Sequence, residues 1–268
     1  MNEDYIDEAT GLLYCGKCHT PKERAFPVEF MGMKKHPVLC ACAAAEQKKL
    51  EQERRQRELA DRVETLRREA FREIPAGEWR FEKVTGTPAL QKVRRYADCW
   101  EEMRADGIGL LLFGSVGTGK SYAAGCLANA LLDGGHSVRF VGLSDVVNRM
   151  QGLSGGERES YLSTLMKPEL LILDDLGAER STSFGREQVF DVINKRTLSG
   201  KPLVVTTNLP VGLMQQAEEI QERRIYDRIL EVCVPVRFEG ESFRRAGATE
   251  NLRKASSILA GHSGQERA

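Results

Sequence analysis

The sequence lacks any long apolar run: none of its hydrophobic stretches approaches the ~20 residues that a helix needs to cross a bilayer. Residues 1–8 are acidic and lack the basic region and apolar core of a secretory signal. We therefore expect a cytoplasmic protein with no membrane partner. Neither sign of charge is in excess, since 39 basic side chains balance 39 acidic ones. Any contact with nucleic acid must therefore come from a local patch.

Seven cysteines are present, but a reducing compartment does not favour disulfides, and clustered thiols there indicate metal binding or catalysis. A CxxC pair and a CxC pair lie near the start of the sequence: Cys15, Cys18, Cys40 and Cys42. Such pairs supply the tetrahedral thiolate set that structural Zn²⁺ prefers. The second pair is unusually tight, so His19 or His36 could replace one thiolate. Zinc is favoured over free thiols because so short a region lacks the apolar mass to fold unaided.

A complete GxxxxGK[ST] motif directly follows the apolar residues 110–113. Its members are Gly114, Ser115, Val116, Gly117, Thr118, Gly119, Lys120 and Ser121, with Tyr122 next. The glycines let backbone N–H groups point at the phosphates of a nucleotide, Lys120 adds positive charge, and the Ser121 hydroxyl can ligate Mg²⁺. A tight turn without a ligand is the alternative. The helical composition of residues 122–132 favours the nucleotide cradle, because it completes a strand-turn-helix unit.

Composition divides the chain into four segments. Residues 1–42 carry the clustered cysteines, and residues 43–73 contain no glycine or proline and favour one charged helix. In residues 74–248 apolar strands alternate with helical patterns, and residues 249–268 form a tail. We therefore predict a zinc-binding module, a helical arm, an ATPase core and a tail, in that order.

The apolar residues of the predicted arm form one narrow stripe on a charged helix. They are Leu50, Leu59, Val63, Leu66, Ala70 and Phe71. The stripe could rest on the ATPase core of the same chain, or it could dock a partner or another copy. The sequence leaves both interpretations open.

Five apolar segments alternate with helical patterns in the core: residues 110–113, 138–141, 170–173, 203–207 and 232–236. Near-continuous apolar strands are typical of a parallel sheet that is buried on both faces. We therefore predict an α/β fold, with a parallel sheet flanked by helices. Ligands of such sheets bind at the carboxyl ends of the strands.

Polar side chains follow two of these strands. Asp174 and Asp175 end an apolar strand and predict a Walker B segment. Asp174 is placed to hold Mg²⁺ through water, and Asp175 is placed to polarise the water that attacks the γ-phosphate. Asn208 ends the next strand, where its amide could bind that water or the γ-phosphate, or could only begin a turn.

Arg224 and Arg228 lie four residues apart, on one face of a predicted helix. A guanidinium offered to the γ-phosphate in a neighbouring subunit would stabilise the charge that develops in phosphoryl transfer. The alternative is an ordinary surface arginine paired with Glu222 or Asp227.

The order of these motifs resembles the AAA+ ATPases, specifically the DnaC, DnaI and IstB group of helicase loaders and transposition helpers. The strings LDDLGAE at residues 173–179 and RIYDRI at residues 224–229 are typical of that group. The resemblance runs from about residue 79 to residue 245. It implies that Asn208 is sensor 1, Arg228 the arginine finger and Arg244 sensor 2.

Two features bear on what this resemblance implies. Asp175 stands where many AAA+ proteins have glutamate, and its shorter side chain predicts slow hydrolysis that suits a switch. Only residues 245–268 follow the sensor 2 position, so a full helical lid is not expected, as in the loader group.

The resemblance implies an ATP-dependent loader that places a replicative DNA helicase on single-stranded DNA and self-associates through ATP-bridged interfaces. The zinc module and the arm would grip the helicase, and residues 144–168, with Arg149, Arg158 and Lys167, could contact the DNA. A transposition helper ATPase is the close alternative. A small-molecule P-loop kinase and a nucleotide-binding scaffold that does not hydrolyse ATP are weaker alternatives.

Overall fold

The computed structural model divides the chain into two compact units, Met1–Arg62 and Val63–Ala268. It describes residues 3–30, 33–84, 86–177 and 182–243, with the pairs 252–253, 255–256 and 258–259. Arg244, the expected sensor 2, lies outside these residues, as does most of the predicted tail. Among the helices described, none combines the length and the apolar character that a membrane span requires.

The first unit contains two small antiparallel strand pairs and the start of a long helix. The pairs are β1 (Tyr5–Ile6) with β2 (Leu13–Tyr14), and β3 (Glu23–Phe30) with β4 (Met33–Pro37). Helix α1 (Ala41–Ala70) follows Cys40 directly.

Helix α1 begins and ends earlier than the predicted arm at residues 43–73. It can begin at Ala41 because the Thr20 hydroxyl accepts the Ala41 N–H at 2.8 Å, which satisfies a donor that the first turn leaves free. It ends ahead of Pro75, because a proline disfavours the helical conformation of the residue before it and cannot continue the hydrogen-bond ladder.

The apolar residues of the α1 stripe fall into two groups, an exposed group early in the helix and a group at its end that packs on other residues. Leu50 and Leu59 are 65% and 51% exposed. Leu66, Ala70 and Phe71 instead join the hydrophobic core of the second unit. The last turns therefore rest on the hydrophobic core of the second unit, whereas Leu50 and Leu59 face solvent.

The second unit is built on a five-stranded parallel sheet. Its strands are β5 (Gly109–Gly114), β6 (Val138–Gly142), β7 (Leu170–Leu176), β8 (Leu203–Thr207) and β9 (Cys233–Phe238). They lie in the order β6-β7-β8-β5-β9. The predicted α/β fold is confirmed. Strand β5, which ends at Gly114, lies beside β8, which precedes Asn208, and β7 lies on the other side of β8.

The helices of this unit cover both faces of the sheet. They are α2 (Pro88–Asp98), α3 (Trp100–Ala105), α4 (Lys120–Asp133), α5 (Leu143–Gln151), α6 (Gly155–Met166), α7 (Ser183–Leu198), α8 (Val211–Gln215) and α9 (Ile220–Val232). Successive residues of β5 point to opposite faces: Leu110 and Leu112 join a cluster with α2 and α4, and Leu111 joins one with α5, α7 and α9. Because these clusters cover both faces of the sheet, successive residues of a strand can both be buried, which explains why the strand sequences are nearly continuous apolar runs.

One arginine is fully buried at the opposite end of the sheet from Gly114. The guanidinium of Arg196, on α7, donates five hydrogen bonds to four carbonyl oxygens at 2.7–3.4 Å, those of Met166, Pro168, Glu169 and Pro202. Burial lowers its pKa to about 10. Arg196 thereby ties the turn before β7 to the start of β8.

Candidate functional site

The loop between β5 and α4 has the backbone that a phosphate cradle requires. Gly114, Gly117 and Gly119 all have positive φ angles, at 142°, 84° and 95°. A Cβ atom on Gly114 would lie 2.1 Å from the carbonyl oxygen of Phe238, and one on Gly117 would lie 2.0 Å from the Ser242 hydroxyl oxygen. Glycine is therefore required both for the conformation and for the close packing of the loop.

Lys120 begins α4 and is 93% buried, with 7% of its surface exposed. Its Nζ donates to the carbonyl oxygens of Gly114 at 2.9 Å and Ser115 at 2.8 Å, and to Asn208 Oδ1 at 2.8 Å. The expected sensor at the tip of β8 thus contacts Lys120, the lysine predicted to bind phosphate, directly. Asn208 does more than begin a turn.

The two Walker B carboxylates lie where β7 departs from regular pairing with β8. The register between these strands shifts between Leu173 and Leu176, and Asp175 has a φ of +64°, in the left-handed region. Asp175 Oδ1 accepts a hydrogen bond from Asn208 Nδ2 at 3.3 Å. Lys120, Asn208 and Asp175 therefore form one connected polar network at the carboxyl ends of three strands.

Asp174 is partly buried and faces the start of α4. Burial raises its pKa, while hydrogen bonds from Thr206 and Ser121 oppose that rise. The Ser121 hydroxyl and the Asp174 carboxylate thus lie together beside Lys120. Oxygen donors of this kind are the ligands that Mg²⁺ takes, so these residues fit the ion that accompanies a nucleotide.

Thr206 belongs to this site and was not predicted. Its hydroxyl donates to Asp174 Oδ1 at 2.6 Å and accepts the Asp175 N–H at 2.9 Å. The signal in the sequence was the pair of threonines that ends the apolar strand β8, because a hydroxyl in a buried strand needs a hydrogen-bond partner.

These residues line a cleft of about 540 Å³. Its polar end is formed by the loop after β5 with Asp174, Asp175 and Asn208. Its apolar end comprises Trp79, Val84, Leu90, Tyr122, Phe238 and Phe243. Tyr122 was predicted as part of the nucleotide site, and the other five residues were not. A polar phosphate end beside an apolar end suits a nucleoside triphosphate, and the volume lies in the usual range for small-ligand sites.

The two arginines of α9 lie away from this cleft in the described part of the chain. Arg228 donates to Glu231 at 2.8 Å, and not to the expected alternatives Glu222 or Asp227. The guanidinium of Arg224 lies 4.1 Å from the ring centre of Phe190. An arginine that acts on a neighbouring subunit would lie away from its own cleft, so its proposed role stays open to test.

The segment predicted to contact DNA, residues 144–168, lies mainly in helices α5 and α6. Arg149 lies over the ring of Tyr161 at 5.1 Å, and Arg158 donates to the carbonyl oxygens of Met150 and Leu153. Arg158 therefore caps the end of α5, which is a structural task. Arg149 and Lys167 are exposed.

The four clustered cysteines of the first unit come together. The sulfur atoms of Cys15, Cys18, Cys40 and Cys42 all lie within 4.8 Å of one another. Neither His19 nor His36 belongs to this group. The Thr20 hydroxyl, 3.1 Å from the Cys18 sulfur, is the main cause that lowers the pKa of Cys18 to about 5. Four convergent sulfurs with hydrogen-bond donors directed at them fit a tetrahedral Zn²⁺.

The fold and the cleft are those of a P-loop ATP-binding protein of the AAA+ class. A family model described as IstB-like ATP binding protein matches residues 44–251. The chain belongs to this family.

Several relatives share part of the sequence. The replicative helicase loader DnaC of Escherichia coli K12 is 28% identical over 160 residues, which cover 58% of this chain and 63% of DnaC. The loader DnaI of Bacillus subtilis is 28% identical over 149 residues, 52% of this chain and 48% of DnaI. A putative ATP-binding protein in an insertion sequence of Mycobacterium tuberculosis is 29% identical over 146 residues, 52% of this chain and 56% of that protein. The chain thus matches about half to two thirds of the length of these relatives.

Solved structures agree on the fold. The crystal structure of the DnaC helicase loader aligns with a TM-score of 0.53 at 22% identity, covering 60% of this chain and 97% of the other. The replication initiator DnaA, solved with AMPPCP and single-stranded DNA, aligns with a TM-score of 0.51 at 18% identity, covering 66% of this chain and 55% of the other. At 22% and 18% identity, the similarity to these structures supports the fold and nothing more specific.

Proposed function

We propose that the cleft binds ATP with Mg²⁺ and hydrolyses it slowly to ADP and phosphate. The observation that carries this proposal is the network in which Lys120 contacts Asn208, and Asn208 contacts Asp175. It joins the three groups that phosphoryl transfer needs: a cation for the phosphates, an amide for the γ-phosphate or the water, and a carboxylate for the water.

The residues have distinct tasks in this proposal. Backbone N–H groups of residues 114–119 and the Lys120 ammonium hold the β- and γ-phosphates. Asp175 accepts a hydrogen bond from the attacking water and Asn208 orients that water, so the nucleophile is held in line with the γ-phosphorus. Ser121 and Asp174 hold Mg²⁺, which supplies charge neutralisation at the phosphates.

The arginine roles require a second copy of the chain. Arg228 acts on the γ-phosphate of a neighbouring subunit and must first leave its ion pair with Glu231, which costs little because both side chains are partly exposed. Arg244 is proposed as sensor 2. Hydrolysis then depends on self-association, as a switch in an assembly requires.

We further propose that this ATPase loads a replicative DNA helicase onto single-stranded DNA. The named functions of the relatives DnaC and DnaI support a loader. The first unit supports it too, because a compact cysteine-bearing module ahead of an ATPase core suits the gripping of another protein. In this proposal Cys15, Cys18, Cys40 and Cys42 hold a structural Zn²⁺. Contact of residues 144–168 with DNA rests on Arg149 and Lys167, since Arg158 has a structural task.

A transposition helper is the second candidate. The family description and the insertion-sequence relative favour it. Co-purification from cell extract, with and without ATP, separates the two: a helicase retained in a nucleotide-dependent way supports the loader, and a transposase retained in its place overturns it.

The test of hydrolysis is phosphate release by the wild type and by Asp175→Asn. We expect the substitution to abolish release while ATP still binds, because the amide cannot serve as the base but leaves the phosphate cradle intact. Unchanged release would show that Asp175 has no catalytic task.

A further inference from the structure

A single hydroxyl at the tip of β8 contacts both Walker B residues. Thr206 Oγ1 donates to the Asp174 carboxylate at 2.6 Å and accepts the Asp175 backbone N–H at 2.9 Å. We infer that Thr206 is a positioning residue, which fixes Asp174 for Mg²⁺ and Asp175 for the attacking water at the same time. This inference rests on the proposed ATPase function.

The donor and acceptor roles leave Thr206 no alternative arrangement. A hydroxyl has one hydrogen, and here that hydrogen goes to Asp174 Oδ1, so the Asp175 N–H must approach a lone pair of the oxygen. Thr206 is 1% exposed, so its hydroxyl is shielded from solvent, and water would replace these two bonds poorly if the hydroxyl were removed. A buried acceptor or donor that loses its partner is costly, and the segment would rearrange to avoid that cost.

The backbone at Asp175 depends on the same contact. Strand β7 leaves its register with β8 between Leu173 and Leu176, so the Asp175 N–H is accepted by a side chain of β8. Asp175 also has a φ of +64°, a conformation that is uncommon for residues with a side chain and that local contacts stabilise. The hydrogen bond from the Asp175 N–H to Thr206 stabilises this backbone conformation. The conformation in turn directs the Asp175 carboxylate to Asn208.

The neighbouring residue offers a matched control. Thr207 is as fully buried as Thr206, and its hydroxyl also makes two hydrogen bonds, donating to the Leu176 carbonyl at 2.8 Å and accepting the Leu209 N–H at 3.1 Å. Neither of these two bonds involves the carboxylate of Asp174 or of Asp175. Thr206→Val and Thr207→Val therefore make the same chemical change at the same depth, but only the first reaches Asp174 and Asp175.

The experiment measures binding of a fluorescent ATP analogue with EDTA and across a Mg²⁺ titration, together with phosphate release. For Thr206→Val we expect unchanged affinity in EDTA, a Mg²⁺ half-saturation raised about 10- to 100-fold, and slower release. Thr206→Ser, which keeps the hydroxyl, should restore the wild-type Mg²⁺ dependence. Thr207→Val should bind Mg²⁺ and the analogue as the wild type does.

The outcomes separate this inference from the function on which it rests. If the wild type binds no ATP analogue, the proposed function is overturned and the inference with it. If the wild type binds but Thr206→Val keeps the wild-type Mg²⁺ dependence, only the inference is overturned. An equal loss in Thr206→Val and Thr207→Val would also overturn it, because that result reports general damage to β8.

Discussion

Replacement of Arg196 by methionine should destabilise the second unit, because this buried guanidinium satisfies four carbonyl oxygens. The carbonyl oxygens of Pro168 and Glu169 lose the donor described for them, at about 1.5–3 kcal/mol each. Those of Met166 and Pro202 keep a second donor, Lys201 Nζ and the Leu171 N–H, and lose about 0.5–1 kcal/mol each, hence about 4–8 kcal/mol for all four. Burial of the Arg196 charge is itself unfavourable, as its pKa of about 10 indicates. Removing the charge therefore adds about 3 kcal/mol to the free energy of unfolding, which offsets part of this loss. We therefore expect a net loss of about 3 kcal/mol, within a range of about 1–5 kcal/mol.

Urea unfolding followed by tryptophan fluorescence measures this loss directly. Both tryptophans of the sequence, Trp79 and Trp100, lie in the second unit, so the signal reports the unit that holds Arg196. The thermal midpoint should fall by about 6–12 °C for a domain of this size. Arg196→Lys should be intermediate, because three N–H donors replace five.

An exposed arginine supplies the control for this measurement. Arg104 bridges Glu101 and Glu169 at the surface and is 44% exposed, so Arg104→Met should cost less than about 1 kcal/mol. A loss below about 1 kcal/mol for Arg196→Met, no larger than the loss for Arg104→Met, would refute the reasoning that these carbonyls depend on the guanidinium.

Three further predictions concern the site, the assembly and the cysteine cluster. Asn208→Ala should slow phosphate release by about 10-fold or more while ATP still binds; release at the wild-type rate would contradict its contact with Asp175. Arg228→Ala and Asp175→Asn should each be inactive alone yet regain part of the turnover when mixed, since a mixed interface restores both groups. An active Arg228→Ala, or no recovery in the mixture, would contradict the action of Arg228 on a neighbouring subunit. Thr20→Val should lose zinc to a chelator about 10- to 100-fold more readily, because the Thr20 hydroxyl contacts the Cys18 sulfur. Thr10→Val, at a threonine bonded to Asp7, should behave as the wild type does, and equal zinc retention by both variants would contradict this prediction.

The sequence was sufficient for the parts of the structure that depend on short-range patterns. Five apolar segments predicted the strands, and the glycine-rich motif predicted the loop between β5 and α4. The residues at the strand tips could be placed together because parallel strands end at one edge of a sheet. The contact between Lys120 and Asn208 follows from that placement.

Other features depend on long-range packing and could not be predicted. The apolar end of the cleft joins Trp79 and Leu90 to Phe238 and Phe243, which lie far apart in the sequence and carry no motif. The left-handed backbone of Asp175 arises from a register shift that no local pattern encodes. The division of the α1 stripe, with Leu59 exposed and Leu66 partly buried against the core, depends on where the second unit begins.

Calorimetric titration of ATP into the purified chain, with Mg²⁺ present, tests the central claim most directly. We expect the wild type to bind ATP and Lys120→Ala to bind about 10-fold or more weakly, because the variant loses a charge-assisted contact to the phosphates. Absence of heat on addition of ATP to the folded wild type, or equal binding by Lys120→Ala, would contradict the assignment of this cleft to a nucleotide.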